Sequence, residues 1–123
     1  MPEELRDTRI VHEEAVREAS AEQADAAALT RLSDTFQILA NPTRLRIVDV
    51  LAKREMCVQD LAAVVDASPS AVSHHLRQLR QMQIVRYRKE GRMAYYRLDD
   101  AHVASLFAIG MAHVREERGG GST

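Results

Sequence analysis

Two cap-and-proline pairs divide the middle of the chain into short helical segments. In Asn41-Pro42 and in Ser68-Pro69, a residue that caps helices well precedes a proline at the first helical position. A short apolar-periodic segment, Val58 to Val65, lies between them, and the turn Asp66-Ala67 follows it. The second pair opens a polar-faced helix that ends near Met82. A short helix, a tight turn and a polar-faced helix together predict a helix-turn-helix.

The hydrophobic period changes from helical to alternating after this polar-faced helix. Residues 84–98 form two β-prone runs around the turn Lys89-Glu90-Gly91-Arg92, which predicts a hairpin. A last helix is predicted from about Ala101 to Glu117, and apolar spacing predicts another over residues 21–40. The expected fold class is mainly α with a β-hairpin wing, that is, a winged helix-turn-helix.

Length and composition fit one small domain. The chain has 123 residues, of which 46% are hydrophobic, so it can form a packed core. A core this small gains from a partner, and the apolar first and last helices are the obvious surfaces for a homodimer. We expect an N-terminal arm over residues 1–20, partly flexible, a winged helix-turn-helix domain over residues 21–118, and a flexible tail over residues 119–123.

The first residues, the apolar runs and the single cysteine indicate where in the cell the protein is located. No apolar run is long enough to span a membrane, and the charged first residues are unlike a signal peptide. Cys57 is the single cysteine, so no internal disulfide can form. These observations favour a cytoplasmic protein without membrane contact.

Positive charge is concentrated in one segment, although the formal net charge is -1. From Arg77 to Arg97 only Glu90 opposes a series of basic side chains. A charge run alone is more often a solvated surface, but on a helix-turn-helix with a hairpin it is the footprint of phosphate contact. We therefore expect the polar-faced helix to read the major groove, and the hairpin to reach the flanking backbone or minor groove.

The predicted DNA contacts combine small polar and basic side chains. They are Ser68, Ser70, Ser73, His74, Arg77, Arg88, Lys89 and Arg92. Because one short reading helix gives little specificity, the expected partner is operator DNA with two-fold symmetry, bound by a homodimer. No small-molecule substrate is expected.

The last helix carries four candidate metal ligands: Asp100, His102, His113 and Glu116. Imidazole nitrogen and carboxylate oxygen suit tetrahedral zinc. His102 and His113 are eleven residues apart, roughly 16 Å along one helix, so they cannot share an ion whose bonds are near 2 Å. Eleven residues are close to three turns, however, so both side chains leave the same face.

Two such helices, packed antiparallel across a two-fold axis, solve this problem. Asp100 and His102 of one chain then meet His113 and Glu116 of the other, and symmetry gives two equivalent sites per dimer. The alternatives for single residues are ordinary: Asp100 can be a plain N-cap, His113 a satisfied core histidine, and Glu116 a solvated carboxylate.

Over about residues 28–117, the chain resembles the ArsR/SmtB family of metal-sensing repressors. The stretches that carry the resemblance are LANPTRLRIVDVL, MCVQDLAAVV, SPSAVSHHLRQLR, VRYRKEGRMAYYRL and DDAHVASLFAIGMAHVREE. It is similar above all to the zinc-sensing branch, whose last helix carries Asp-x-His and then His-x-x-Glu or His-x-x-His. The resemblance implies that the apo dimer binds the operator and that metal lowers this affinity, which derepresses efflux or sequestration genes.

A second site of that family uses thiolates, and this chain matches it only in part. Cys57 and Asp60 fit the family's box, but the N-terminal arm has no cysteine and offers only His12 as a soft donor. Thiolate sensors of cadmium, lead or arsenic need several sulfurs, so a mixed site of Cys57, Asp60 and His12 would be weak. Cys57 is equally well interpreted as a small buried hydrophobe.

Several alternatives to a zinc switch remain open. Cobalt, nickel or cadmium can occupy the same donors, and oxidation of Cys57 could switch the same fold. A zinc hydrolase fits less well, because four ligands saturate the ion and catalytic zinc keeps an open position. An architectural DNA-binding dimer without a ligand is the remaining alternative. We expect a regulator rather than an enzyme.

Overall fold

A computed structural model of the chain describes residues 9–119, with side chains to residue 116. The chain divides into two compact units, residues 1–33 and residues 34–123, which are considered separately. Residues 1–8 of the predicted arm and residues 120–123 of the predicted tail lie outside the described range, so the predicted domain limits remain predictions. No helix between residues 9 and 119 has the length and apolar character of a membrane span.

The predicted helices and hairpin are present in the predicted order, but the helix predicted over residues 21–40 covers only residues 26–39, and a helix that begins in the predicted arm and a two-residue strand are additional. The elements are α1 (Glu13–Glu22), α2 (Ala26–Leu39), α3 (Pro42–Leu51), β1 (Met56–Cys57), α4 (Val58–Val65), α5 (Pro69–Gln81), β2 (Val85–Glu90), β3 (Met93–Leu98) and α6 (Ala101–Gly119). Element α1 belongs to the first unit, α2 crosses the boundary between the units, and α3 to α6 with the strands form the second unit. The predicted winged helix-turn-helix is present in the second unit.

Both predicted cap-and-proline pairs begin a helix. The Asn41 side chain accepts a hydrogen bond from the Arg44 amide at 3.0 Å, and Pro42 is the first residue of α3. The Ser68 hydroxyl oxygen accepts one from the Ala71 amide, also at 3.0 Å, and Pro69 begins α5. Each cap satisfies an amide that the first helical turn leaves without a partner.

Helices α4 and α5 end in left-handed residues that turn the chain sharply. Asp66 (φ 58°) follows α4, and the Ala67 amide donates back to the Ala62 carbonyl at 3.1 Å. Gln83 (φ 61°) follows α5, where the Ile84 amide donates to the Leu79 carbonyl at 2.9 Å. These backward hydrogen bonds are those of helix C-caps with a left-handed residue. They set the angle between α4 and α5 and direct the chain from α5 into the wing.

Three helices and the first wing strand enclose the core of the second unit. The fully buried side chains come from the predicted apolar stripes of α3, α4 and α5 and from the start of the hairpin; they include Ile47, Val48, Leu61, Val72, Leu76, Leu79, Ile84 and Val85. No polar or charged residue in the described part of the chain is buried. Helix α5 is therefore held by three apolar residues on one face, while its polar face is left outside.

The wing is a three-stranded antiparallel sheet in the order β1-β3-β2. Glu90 pairs with Met93 across the two-residue turn Gly91-Arg92, and Gly91 has φ +62°. A glycine with positive φ at the first turn position is typical of a type II′ hairpin, whose twist suits the strands. Strand β1 adds Met56 and Cys57 to the edge of β3 and is not predicted from the sequence.

Candidate DNA interface and metal ligands

The polar face of α5 presents most of the predicted DNA contacts. Ser70, His74 and Arg77 are exposed, and Ser73 is half-buried. Ser68 is exposed as well, but its hydroxyl oxygen is occupied as the α5 cap. The apolar stripe of Val72, Leu76 and Leu79 points into the core, so the reading face and the packing face of this helix are separate.

A polar cleft of about 290 Å³ lies between α5 and the wing. Its walls are Ser73, Arg77 and Arg80 from the helix, and Tyr87, Lys89, Ala94 and Tyr96 from the strands. The Arg80 guanidinium lies 4.9 Å from the centre of the Tyr87 ring, a cation–π contact that steadies it. No acidic residue lines the cleft, so its three cations create a positive potential suited to phosphate.

The sequence pattern does not single out Arg80 or the tyrosines of this cleft. Arg80 belongs to the basic segment, but its place in the cleft depends on Tyr87. The alternation of side chains along a strand does indicate that two of these residues belong together. Because Tyr87 and Lys89 are two residues apart, they leave the same face of β2. That face is the one turned towards α5.

Arg88 leaves the opposite face of β2 and is engaged by carboxylates. Its Nε donates to Glu55 Oε1 at 3.0 Å, and its NH1 donates to Glu90 Oε1 at 3.2 Å. These hydrogen bonds to Glu55 and Glu90 raise the pKa of Arg88. Arg97 also approaches Glu55, at 4.0 Å. The charge of Arg88 is thus largely balanced within the protein, unlike that of Lys89 in the cleft.

Arg44 forms a hydrogen-bonded cluster that was not foreseen. Its guanidinium donates to His75 Nδ1 at 3.0 Å, to Gln78 Oε1 at 2.8 Å and to the Ile38 carbonyl at 3.2 Å. Gln78 Nε2 in turn lies 3.5 Å from His74 Nε2 on the exposed face of α5. Burial lowers the pKa of His75, and the charges of Arg44 and His74 lower it further. The contacts of Arg44 with His75 and Gln78 connect positions more than thirty residues apart, which no local pattern reveals.

The predicted metal ligands fall into two pairs at opposite ends of α6. Asp100 Oδ1 accepts from the His102 amide at 2.9 Å and from the Val103 amide at 3.4 Å, so Asp100 caps the helix. Its other oxygen lies 3.4 Å from His102 Nδ1. Desolvation raises the pKa of Asp100, but the hydrogen bonds from the His102 side chain and the two amides together lower it. This carboxylate is therefore charged and adjacent to an imidazole.

His113 and Glu116 are both exposed near the other end of the same helix. Because α6 is continuous from Ala101 to Gly119, His102 and His113 are separated by about 16 Å along its axis at ~1.5 Å per residue. His102 is almost fully exposed, with 96% of its side chain accessible. Within the described part of one chain, no three His, Cys, Asp or Glu side chains form a metal-binding cluster.

Cys57 and Asp60 differ in their exposure to solvent. Cys57 is buried with 6% of its surface accessible, whereas Asp60 is exposed. His12 lies in the first unit, at the N-cap of α1. The burial of Cys57 agrees with its interpretation as a small hydrophobe. The mixed site of Cys57, Asp60 and His12 stays a prediction.

Apolar surface remains uncovered beside α6. A groove of about 290 Å³ is lined almost entirely by apolar side chains from α3, α6 and the end of α2, among them Phe36, Leu45, Val48, Phe107 and Val114. Ile109 on α6 is 69% exposed. Exposed apolar area of this kind is typical of a surface that pairs with another protein chain.

Fold and cleft together define a winged helix-turn-helix protein of the DNA-binding class. The family model described as "Bacterial regulatory protein, arsR family" matches residues 41–87, which run from the cap of α3 to the first wing strand. A transcriptional repressor SmtB homolog from Synechocystis sp. is 43% identical over 91% of this chain and 85% of its own length. The chain belongs to the arsR family of bacterial regulatory proteins.

Two further relatives agree with this membership. A cadmium resistance transcriptional regulatory protein CadC homolog from Staphylococcus aureus is 36% identical, over 94% of this chain and 96% of its own. The solution structure of a homodimeric winged helix-turn-helix DNA-binding domain from Mycobacterium bovis superposes with a TM-score of 0.71. It is 34% identical and covers 79% of this chain and 92% of its own. The predicted fold class and family resemblance are confirmed.

Proposed function

We propose that this protein is a zinc-responsive transcriptional repressor. The apo homodimer binds a two-fold symmetric operator, and zinc lowers that affinity, which derepresses genes for metal efflux or sequestration. The observation that carries the proposal is the arrangement of α6: one continuous helix with exposed, separated ligand pairs at its two ends. Relatives named as a repressor and as a cadmium resistance regulator support the general class.

DNA binding rests on α5 and the cleft beside it. Ser70, His74 and Arg77 on the exposed helix face are suited to base edges and phosphates, and Arg80 and Lys89 are suited to the backbone. Arg92 at the tip of the wing turn is placed to reach the flanking backbone or minor groove. The apolar surface around α6 supplies the dimer contact that a two-fold operator requires.

The donor set of α6 fits zinc. Two imidazoles and two carboxylates are ligands that zinc accepts in tetrahedral sites, and Asp100 and His102 already lie side by side. We propose that Asp100 and His102 of one chain and His113 and Glu116 of the other hold each ion. When bound, zinc supplies a fixed link between the two last helices, and DNA and zinc then favour different arrangements of the dimer.

The allosteric part of the proposal is tested by two titrations. Operator affinity is measured with and without zinc, and zinc affinity is measured with and without operator. Reciprocity requires the same factor in both, for a coupling of typically ~1–3 kcal/mol. Equal zinc affinities with free and operator-bound dimer would remove the proposed switch, while operator binding alone would leave a repressor without this effector.

The sharing of each site between two chains is tested by complementation. The homodimers H102A and H113A should both lose the zinc response. A heterodimer of one H102A chain with one H113A chain should regain one intact site, because its two mutations fall in the same site. If both ligand pairs of a site came from the same chain, the heterodimer would stay inactive. A dimer doubly mutated in both chains is the negative control.

The Cys57 alternative is separated by cobalt spectroscopy. Cobalt-loaded protein should give intense tetrahedral bands without a sulfur charge-transfer band, and C57S should leave the spectrum and the zinc response unchanged. A thiolate band that C57S abolishes would instead assign the metal to Cys57, and loss of the zinc response in C57S would show that the switch depends on this residue.

A further inference from the structure

A single guanidinium joins three helices of the second unit. Arg44 belongs to α3, and its three donors reach the Ile38 carbonyl near the end of α2 and the His75 and Gln78 side chains of α5. The apolar contacts of α5 come from one face only, through Val72, Leu76 and Leu79. Directional hydrogen bonds from a planar guanidinium restrict small rotations or shifts of a helix more than apolar contacts do.

We propose that Arg44 is a positioning residue for the DNA-reading helix, and that it acts only while His75 is neutral. This inference rests on the proposed DNA binding, which it deepens. The path to the reading face is short: Arg44 holds Gln78, and Gln78 lies 3.5 Å from His74, an exposed predicted DNA contact. Arg44 thus fixes both the helix and one of its reading side chains without touching DNA itself.

Neutral His75 is needed because its Nδ1 is the acceptor for Arg44 Nε at 3.0 Å. A protonated imidazole carries a hydrogen on both ring nitrogens and cannot accept. It would also place a second cation against the guanidinium. The charged and titratable groups around His75 are Arg44 from α3 and His74 from its own helix, and both oppose protonation. The hydrogen-bonded and protonated states are therefore mutually exclusive.

The first measurement is the operator affinity of the apo dimer at neutral pH, compared for the wild type, R44Q, R44K and R46Q. R44Q and R44K should each weaken operator binding by about tenfold, because neither restores the forked set of three hydrogen bonds. R46Q is the matched control: Arg46 lies on the same helix, is exposed, and loses the same charge. Wild-type affinity in R44K, with R46Q also unchanged, would overturn the inference while leaving DNA binding intact.

The pH profile is the second measurement. H75N keeps an acceptor near the position of Nδ1 but cannot titrate. Wild-type operator affinity, divided by that of H75N, should fall by about threefold or more as the pH is lowered from 7.5 through the pKa of His75, which burial and nearby cations hold below 6.5, since protonation releases Arg44 only in the wild type. Effects of pH that do not involve His75 act on both proteins and cancel in the ratio. A ratio constant with pH would overturn the role of His75.

A DNA-free measurement separates this inference from the proposed function. Nitrogen NMR of the His75 ring should show Nδ1 as a hydrogen-bonded acceptor in the wild type and lose that signature in R44K. Thermal unfolding of each variant shows whether it folds. If the wild type fails to bind any operator, the proposed function fails; if it binds and R44K keeps both the affinity and the His75 signature, only the role of Arg44 fails.

Discussion

Ser68 shows how one side chain can serve both folding and recognition. Its hydroxyl oxygen accepts from the Ala71 amide, yet the residue lies exposed at the end of α5 that enters the groove in this class of fold. Asp100 also has two roles at the start of α6, where it caps the helix and lies beside His102. Because an alanine substitution at such a residue removes both roles at once, each role has to be tested with its own substitution.

The two roles of Ser68 are separable with two substitutions. S68A should lower the free energy of unfolding by about 1 kcal/mol, because the Ala71 amide loses its cap. S68D should keep the cap and the stability, but place a carboxylate against phosphate and weaken operator binding. Chemical denaturation and operator titration of both variants provide the measurements. Unchanged operator affinity in S68D would place Ser68 away from DNA.

His75 makes stability depend on pH in a defined direction. Its folded-state pKa lies below 6.5, so the unfolded chain takes up the proton first as the pH falls. Neutral His75 should therefore make its full contribution to the free energy of unfolding above pH 6.5. That contribution should decrease as the pH falls below 6.5 towards the folded-state pKa. H75N should show a shallower decrease between pH 7.5 and 5.5 in urea unfolding. Parallel curves for the two proteins would contradict this assignment.

At the level of elements, local patterns predicted most of the chain. The two cap-and-proline pairs, the switch to alternation and the glycine turn placed α3, α4, α5, the hairpin and α6 close to their observed limits. The two-residue strand β1 was missed, because Met56 and Cys57 are too few to show a period. The ion pair between Glu55 and Arg88, and the Arg44 cluster, were also missed, since they join residues far apart in sequence. Only the folded chain brings those groups together.

The two faces of the wing differ in available charge. K89A should weaken operator binding and reduce the salt-dependence slope by about 1, as expected for the loss of one phosphate contact. R88A should change both quantities less, because Glu55 and Glu90 balance Arg88 in the free protein. Operator affinity measured from low to moderate salt decides between them. Equal slopes for the two variants would show that Arg88 leaves its carboxylates to bind DNA.

At the scale of the whole molecule, the dimer is expected to support DNA binding and metal binding together. In the proposed function, a second chain covers the exposed apolar side chains of α6 and completes the metal sites formed by its separated ligand pairs. A monomer would then have one DNA-reading helix and two incomplete metal sites. The homodimeric winged helix-turn-helix domain from Mycobacterium bovis agrees with the dimer.

Disruption of the α6 surface tests this organisation. I109E should shift the protein to a monomer at micromolar concentration, because a carboxylate replaces an exposed apolar side chain of the proposed interface. Operator binding and zinc binding should then be lost together. V64E is the control, since Val64 is 55% exposed on α4 and away from α6. Sedimentation of both variants is the measurement, and a dimeric I109E protein would place the interface elsewhere.

The length of α6 also affects how the response depends on protein dosage. Because α6 has nineteen residues, its two proposed ligand pairs lie too far apart to hold one ion, so each proposed site needs two chains. Under the proposed function, dilution below the dimer dissociation constant would abolish repression and metal detection at the same threshold. A monomer would then neither complete a zinc site nor bind the two-fold operator.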